Sequence, residues 1–465
     1  VEAVAPSPRA ASLIGRRLSD DGALGEAPPF LASELDITDP GNILRLEVGL
    51  RPGPGTLGAF VSLLRDHGAN CIYLFHHQDV SPGTLQASLS VHDPAEIDRI
   101  LKEMNEQGWL STIHYRGAGQ KEADDIIGLN LVERFYFRLQ QLLGTGDAAK
   151  LRRLVESSRA LTAALQDFAR EAGRYLEAGE VYTRLLAFAT ASLSHLGSAF
   201  HPHPLPVRTF GRLRLHVFRL PTGANLTILQ GPEESVMIDG GYGLYYQDVL
   251  AMLRGAGIPP ESVGRIYLSH ADADHAGQAG YFAADFGCRV VMHPAAGEVI
   301  RQENRVWGSA TPLFDLNRWF TVLVNEFTRF RPPERWEAFR RPPGGTTPLE
   351  AIDRFSVAGH TFVVLEGGEG HVPGQVFFQG EESGLFFSGD FLLDIPSLAH
   401  DEREFLHIPR FMLTSTNADS DLFRRQTDLV ARRVLELDDR LRAEGGSATV
   451  VPGHGDYYPA RRLRP

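Results

Sequence analysis

The stretch RIYLSHADADHAGQAGYFAADFG, residues 265–287, sets a knot of polar residues between an apolar run and a run rich in small residues. RIYLSH reads as a strand and GQAGYFAADFG as a helix, so the knot lies in the turn that joins them. His270, Asp272, Asp274 and His275 put four metal-competent side chains within six positions. Small Ala271, Ala273 and Gly277 leave space for them to converge on one point. Neutral imidazole and carboxylate together suit Zn, Fe or Mn. A solvated polar loop has no need to gather two histidines and two aspartates behind an apolar strand.

Around this turn the chain alternates strands and helices, with strands in LRLHVFRL, NLTILQG and SVMIDGG and a helix from about Tyr245 to Gly255. HADADHAG resembles the HxHxDH signature of the metallo-β-lactamase superfamily, and the match continues in order downstream. GGEGHVPGQ carries His371, LFFSGDFL carries Asp390 at the end of an apolar strand, and VVPGHGD carries His454. Upstream, SVMIDGGYG resembles the family's early strand ending in Asp-Gly. The resemblance implies an αββα sandwich over residues 201–465 that holds two divalent metal ions, Zn or Fe, with Mn also compatible. It implies one ion on His270, Asp272 and His371 and a second on Asp274, His275 and His454, bridged by Asp390. Asp239 would support the ligand loop from behind.

The sequence departs from the family at Asp272, which stands where the usual motif has a second histidine. A third carboxylate hardens the donor set and tilts it from Zn toward Fe or Mn. Two chemistries are therefore open. The resemblance first implies a dinuclear hydrolase: the metal pair supplies hydroxide to attack an ester, thioester, amide or phosphodiester, and Asp274 and Asp390 are the catalytic carboxylates. The alternative is a di-iron oxygen-binding protein or oxidoreductase with a flavodiiron-like core, because a carboxylate at position 272 also resembles that branch. In that alternative the core is expected to work without a flavodoxin-like domain and so to take electrons from an external reductant.

Residues 301–350 form a long stretch before His371 that is expected to shape the pocket entrance. Its arginines Arg329, Arg331, Arg335, Arg340 and Arg341 alternate with aromatics. Arg335 and Arg340 are candidates to hold an anionic small-molecule substrate through bidentate guanidinium contacts; a solvated face is the equal alternative.

Residues 1–42, rich in Ala, Pro, Ser and Gly, read as a disordered tail. Residues 43–118 read as βαββαβ. With PGTLGAFVSLLRDHGAN at the first turn and helix, that order resembles an ACT domain, a ferredoxin-like module that binds amino acids or pairs with its own copy. An amino-acid effector near Gly55 and plain dimerisation both remain open. Residues 119–200 read as a helical connector. The overall expectation is an α/β protein of several domains, assembled as a homodimer.

The 465-residue chain carries 46 basic and 58 acidic residues, a net charge of −12 that disfavours nucleic acid and anionic membrane as partners. Cys71 and Cys288 stand far apart, so no disulfide framework or thiolate site is indicated. A cytoplasmic location is expected. Of seventeen histidines, His270, His275, His371 and His454 carry the functional case.

Overall fold

The computed structural model describes residues 2–4, 30–33, 42–50, 55–76, 83–116, 191–311, 313–340, 347–403, 405–406 and 416–464. The chain divides into two compact units, Val1–Thr162 and Ala163–Pro465. Most of the expected connector, and Arg341, lie outside the described residues.

Two short strands of the first unit, β1 (Glu2–Val4) and β2 (Phe30–Ser33), fall within the stretch expected to be a tail. Pairing at a sheet edge uses backbone groups alone, so it leaves no apolar period to read. Then come β3 (Ile43–Gly49), α1 (Thr56–Asp66), β4 (Asn70–His76), β5 (Thr84–Ser90), α2 (Ala95–Glu106) and β6 (Leu110–Arg116). The sheet runs β1-β2-β4-β5-β3-β6, and each neighbouring pair among the last four is antiparallel. Alternate residues of β3, namely Leu44, Leu46 and Val48, pack with Leu57, Phe60 and Leu64 of α1 and Ile97, Ile100 and Met104 of α2. The two-residue period of the strand thus meets the apolar stripes of both helices.

In the second unit the strands β7 (His203–Pro204), β8 (Arg208–Phe210), β9 (Leu213–Arg219), β10 (Asn225–Gln230), β11 (Ser235–Ile238), β12 (Val263–Tyr267), β13 (Arg289–Met292) and β14 (Glu337–Ala338) form one sheet. A second sheet comprises β15 (Ala351–Val357), β16 (His360–Gly368), β17 (Gln375–Gly380), β18 (Leu385–Gly389), β19 (Thr449–Pro452) and β20 (Tyr458–Pro459) in sequence order. Inner faces meet in one core: Leu215, Val217, Val236 and Ile238 from the first sheet pack with Phe355, Phe362, Val364, Phe378 and Phe387 from the second. Each fully buried side chain of this size contributes roughly 1.5–3 kcal/mol.

The intervening residues of the second sheet face outward. Val363, Leu365, Phe377 and Phe386 are covered by Val430, Val434, Leu437 and Leu441 of a long helix, Ser420–Ala443. Strands buried on both faces read as continuous apolar runs, as VFFQG and LFFSG do. Between the strands lie α3 (Tyr246–Gly255), α4 (Ala273–Ala276), α5 (Ala279–Phe286), α6 (Pro294–Gln302) and α7 (Phe314–Phe327); the long helix is α8. α5 lies against β12 and β13. No helix among the described residues is long and apolar enough to cross a membrane.

Candidate metal centre

Parallel strands open their carboxyl ends toward the same edge of the sandwich. β11 pairs in parallel with β12, and β18 with β19. Asp239 follows β11, His270 follows β12, Asp390 follows β18 and His454 follows β19. His371 enters from the loop between β16 and β17.

These loops are tied down individually. The backbone N–H of Gly370 donates to Oε1 of Gln426 on α8 at 2.9 Å, and the N–H of Ala418 to the carbonyl of His371 at 2.8 Å. Asn225 Nδ2 donates to the carbonyls of Pro452 and Gly455 at 2.9 and 2.7 Å, bracing the His454 turn.

The side chains converge in two groups, His270 with His371 and Asp390, and Asp274 with His275 and His454. Asp390 turns one oxygen to each. Its Oδ2 lies 3.4 Å from His371 Nε2, while Oδ1 lies 3.0 Å from His275 Nε2 and 3.4 Å from His454 Nε2. Asp274 Oδ2 lies 3.3 Å from His454 Nε2.

Each of three imidazoles is oriented by its far nitrogen. His270 Nδ1 donates to Ser269 Oγ at 2.9 Å, and that hydroxyl donates to Asp239 Oδ2 at 2.7 Å. His275 Nδ1 donates to Asp239 Oδ2 at 3.0 Å, and His371 Nδ1 to Asn417 Oδ1 at 2.8 Å. With the proton on Nδ1, the Nε2 lone pair points inward, as metal ligation requires.

That geometry tests the fit of a cation. Nε2 of His270, His275 and His371 and Oδ1 of Asp390 are buried without a hydrogen-bond partner. A buried polar atom left unsatisfied costs about 1–3 kcal/mol, and three imidazole lone pairs aimed at carboxylates leave a gap suited to positive charge. The donor set fits divalent metal.

The electrostatics agree. Burial lowers His270 to about 4, with the neighbouring His275 charge adding to it. Burial pulls the same way at His371 and His454, yet Asp272 and Asp390 raise the first, and Asp390 and Asp274 the second, to about 9. Protons thus compete with metal for the same lone pairs.

Asp272 is placed differently from the other acids. Its Oδ2 lies 3.7 Å from His270 Nε2 and 3.6 Å from His371 Nε2, but both of its oxygens are also taken by Arg305. Burial would raise its carboxyl; the Arg305 charge, His371 and His270 hold it far below the usual carboxylate range instead. Asp272 therefore stands at the centre as the third carboxylate, with its charge offset by Arg305. Nothing in the sequence marks Arg305, since RQENRVW shows no pattern around it.

A cavity of about 300 Å³ opens onto the centre, lined by Asp272, Asp274, His371, Asp390 and His454. Phe320, Thr321, Val324 and Asn325 of α7 form one wall; Leu393, Ile395, Phe405 and Leu406 supply further apolar surface. Arg403 and Tyr242 also line it. Burial, then the Asp274 charge, keeps the Tyr242 hydroxyl protonated well above its ordinary range.

The two arginines expected to hold substrate are not brought here. Exposed Arg335 lines a second cavity with Cys288 and Trp336. Arg340 is exposed, its backbone N–H donating to Asp353 Oδ2 at 3.0 Å. The basic run follows the surface, because its aromatics anchor elsewhere: Phe339 joins the sandwich core and the Trp336 ring lies over Gly297.

Residues 219–454 match the sequence model of the Metallo-beta-lactamase superfamily. The chain is 26% identical over 249 residues to Acyl-coenzyme A thioesterase MBLAC2 of Gallus gallus, an alignment covering 52% of this chain and 75% of that protein. Among solved structures it is similar to a metallo-beta-lactamase family protein from Thermus thermophilus, at 21% identity and a TM-score of 0.33, covering 57% of this chain and 76% of that one. It is also similar to the metallo-beta-lactamase MIM-1 from Novosphingobium pentaromativorans, at 17% identity and a TM-score of 0.34, covering 58% and 83% respectively.

Proposed function

The chain belongs to the metallo-β-lactamase superfamily, and from that premise we propose that its second unit is a dinuclear metal-dependent hydrolase acting on an acyl thioester or ester. The observation that carries this reading is the set of buried, unpartnered Nε2 atoms of His270, His275 and His371 around Asp390, of which His371 and Asp390 line the cavity.

His270, His371 and Asp390 would hold one divalent ion and Asp274, His275 and His454 the other, with Asp390 common to both. When bound, such ions lower the pKa of water to near neutrality and polarise a substrate carbonyl. The chain's own residues do the rest. Asp274, with one oxygen turned to its group, can accept a proton released at the reacting atom on the other, while Asp390 fixes the two groups relative to each other. Tyr242, kept protonated, can donate to an oxygen that gains charge. Phe320, Val324, Leu393, Phe405 and Leu406 exclude water and suit an apolar acyl chain.

Arg403 supplies the cation for an anionic part of the substrate. Its guanidinium has no ion pair among the described residues, and its neighbour Glu402 is fixed by Arg219 Nε at 3.1 Å. The thioesterase relative, at 26% identity, supports the acyl class. Hydrolysis is favoured over the di-iron alternative because Arg305 offsets the charge of Asp272, the carboxylate whose position resembles the di-iron branch. The test joins metal analysis of purified protein to a panel of acyl thioesters and esters. Two zinc ions per chain and turnover support the reading; two iron ions, an oxygen-dependent visible band and no turnover overturn it.

In the first unit the antiparallel order β4-β5-β3-β6 supports an ACT-like, ferredoxin-like module. Calorimetry with the twenty amino acids and sedimentation of the full chain separate an effector site from a dimer contact.

A further inference from the structure

Arg305 sits between α6 and α7, and it is 6% exposed. Nε donates to Asp272 Oδ1 at 3.1 Å and Nη2 to Oδ2 at 2.7 Å, so the planar fork takes both carboxylate oxygens. α7 holds the arginine from behind. The Arg305 backbone N–H donates to Thr321 Oγ1 at 3.2 Å, and Asn317 Oδ1 lies 3.5 Å from Nη1. A guanidinium this buried is stable only with a matched anion, and Asp272 is that anion.

The same Oδ2 atom faces His270 Nε2 at 3.7 Å and His371 Nε2 at 3.6 Å. Donors about 2.1 Å from one tetrahedral ion stand about 3.4 Å apart, so this oxygen is spaced as a fourth donor to the first group while it stays hydrogen-bonded to Arg305. We infer that Arg305 is a metal-tuning positioning residue: Asp272 and Arg305 together offer an oxygen donor of no net charge, doing electrostatically what a neutral imidazole would do at that position. Among the carboxylates facing the two groups of ligands, the pair leaves Asp274 and Asp390 without a cationic side-chain partner of this kind. The inference rests on the metal reading above and concerns how many ions are held and which.

A cycle of variants tests it with metal content as the readout. Wild-type protein, Asp272→His, Arg305→Met and the double variant are each loaded with zinc, titrated with a chelator and analysed for bound metal, with circular dichroism as the folding check. Asp272→His leaves the Arg305 cation facing the first group with no counter-charge, and zinc affinity there is expected to fall about 10–100-fold. The double variant removes that cation and is expected to recover most of the loss. Arg305→Met alone leaves Asp272 fully negative and should raise the Mn-to-Zn ratio bound from an equimolar mixture several-fold.

Equal zinc affinity in wild type and Asp272→His, or no recovery in a folded double variant, overturns the inference. A wild-type chain that binds no metal overturns the premise instead. Should Arg305→Met fail to fold, Arg305→Gln, which removes the charge but keeps a polar side chain of similar length, gives the same comparison; an unaltered metal preference in every folded variant that lacks the Arg305 charge also overturns it.

Discussion

His275 and Asp239 are joined by a 3.0 Å hydrogen bond from imidazole Nδ1 to carboxylate Oδ2, and that bond decides which nitrogen His275 turns toward Asp390. Asp239 can serve because its backbone is left-handed, at φ 54°, a conformation few side chains other than Asp and Asn adopt. Its other contacts, from the backbone N–H and hydroxyl of Ser269, extend the same control to His270.

Asp239→Asn keeps the backbone conformation but gives up the charge and one acceptor. Metal affinity is expected to drop about 10–100-fold. Chelator competition measures it, and affinity equal to wild type would remove Asp239 from the site.

Gly453 precedes His454 where no side chain fits. A Cβ there would lie 2.6 Å from Asp390 Oδ1 and 2.8 Å from His275 Cε1. Gly453→Ala must displace one of them, so it is expected to cost about 1–3 kcal/mol of stability and to reduce bound metal. Thermal melting and metal analysis check both parts; full occupancy at an unchanged melting temperature contradicts the packing described.

For a thioester whose carrier portion is anionic, Arg403→Ala should raise KM about tenfold, the worth of one charged hydrogen bond, with kcat little changed. A neutral ester should show no such effect. Arg335→Ala and Arg340→Ala, which lie off this cavity, are expected to leave KM alone; the reverse pattern would move the substrate site to the basic run.

In the first unit, His67 at the end of α1 reaches Glu96 Oε2 at 3.0 Å and Glu103 Oε2 at 2.9 Å on α2. The hydrogen bond to Glu96, then that to Glu103, raises its pKa above 6.5. A pKa raised by folding adds stability that is complete below the unfolded value, about 6.5, and is lost as pH rises through the folded one. An NMR titration of His67 should show a midpoint above 6.5 that falls in Glu96→Gln. A midpoint at or below 6.5 in the native protein would refute the contact.

Much of the centre is legible in the sequence because its ligands sit where the chain's pattern changes. His270, Asp390 and His454 each follow an apolar strand, and Asp274 and His275 share the first of those turns. Strand ends point the same way in a parallel pair, so residues distant in sequence can be assigned to one site from motif order. Asp272 is legible as a residue but not as a charge state. Its partner lies 33 positions away in a loop whose sequence carries no period. For the basic run the sequence left a substrate contact and a solvated face equally open, because clustering in sequence does not say which way a stretch faces; Arg335 and Arg340 are exposed and do not line this cavity.

The ligand types, their order and the two-sided burial of the strands that carry them follow from the amino-acid sequence, since side-chain chemistry and a two-residue period are local properties of the chain. Folding in three dimensions settled the rest: which Nε2 atoms are left without partners, how Asp390 divides its oxygens between two groups, and that Arg305 neutralises Asp272. Those depend on distances between loops, and electrostatic interaction falls with separation in space, whatever the separation along the chain.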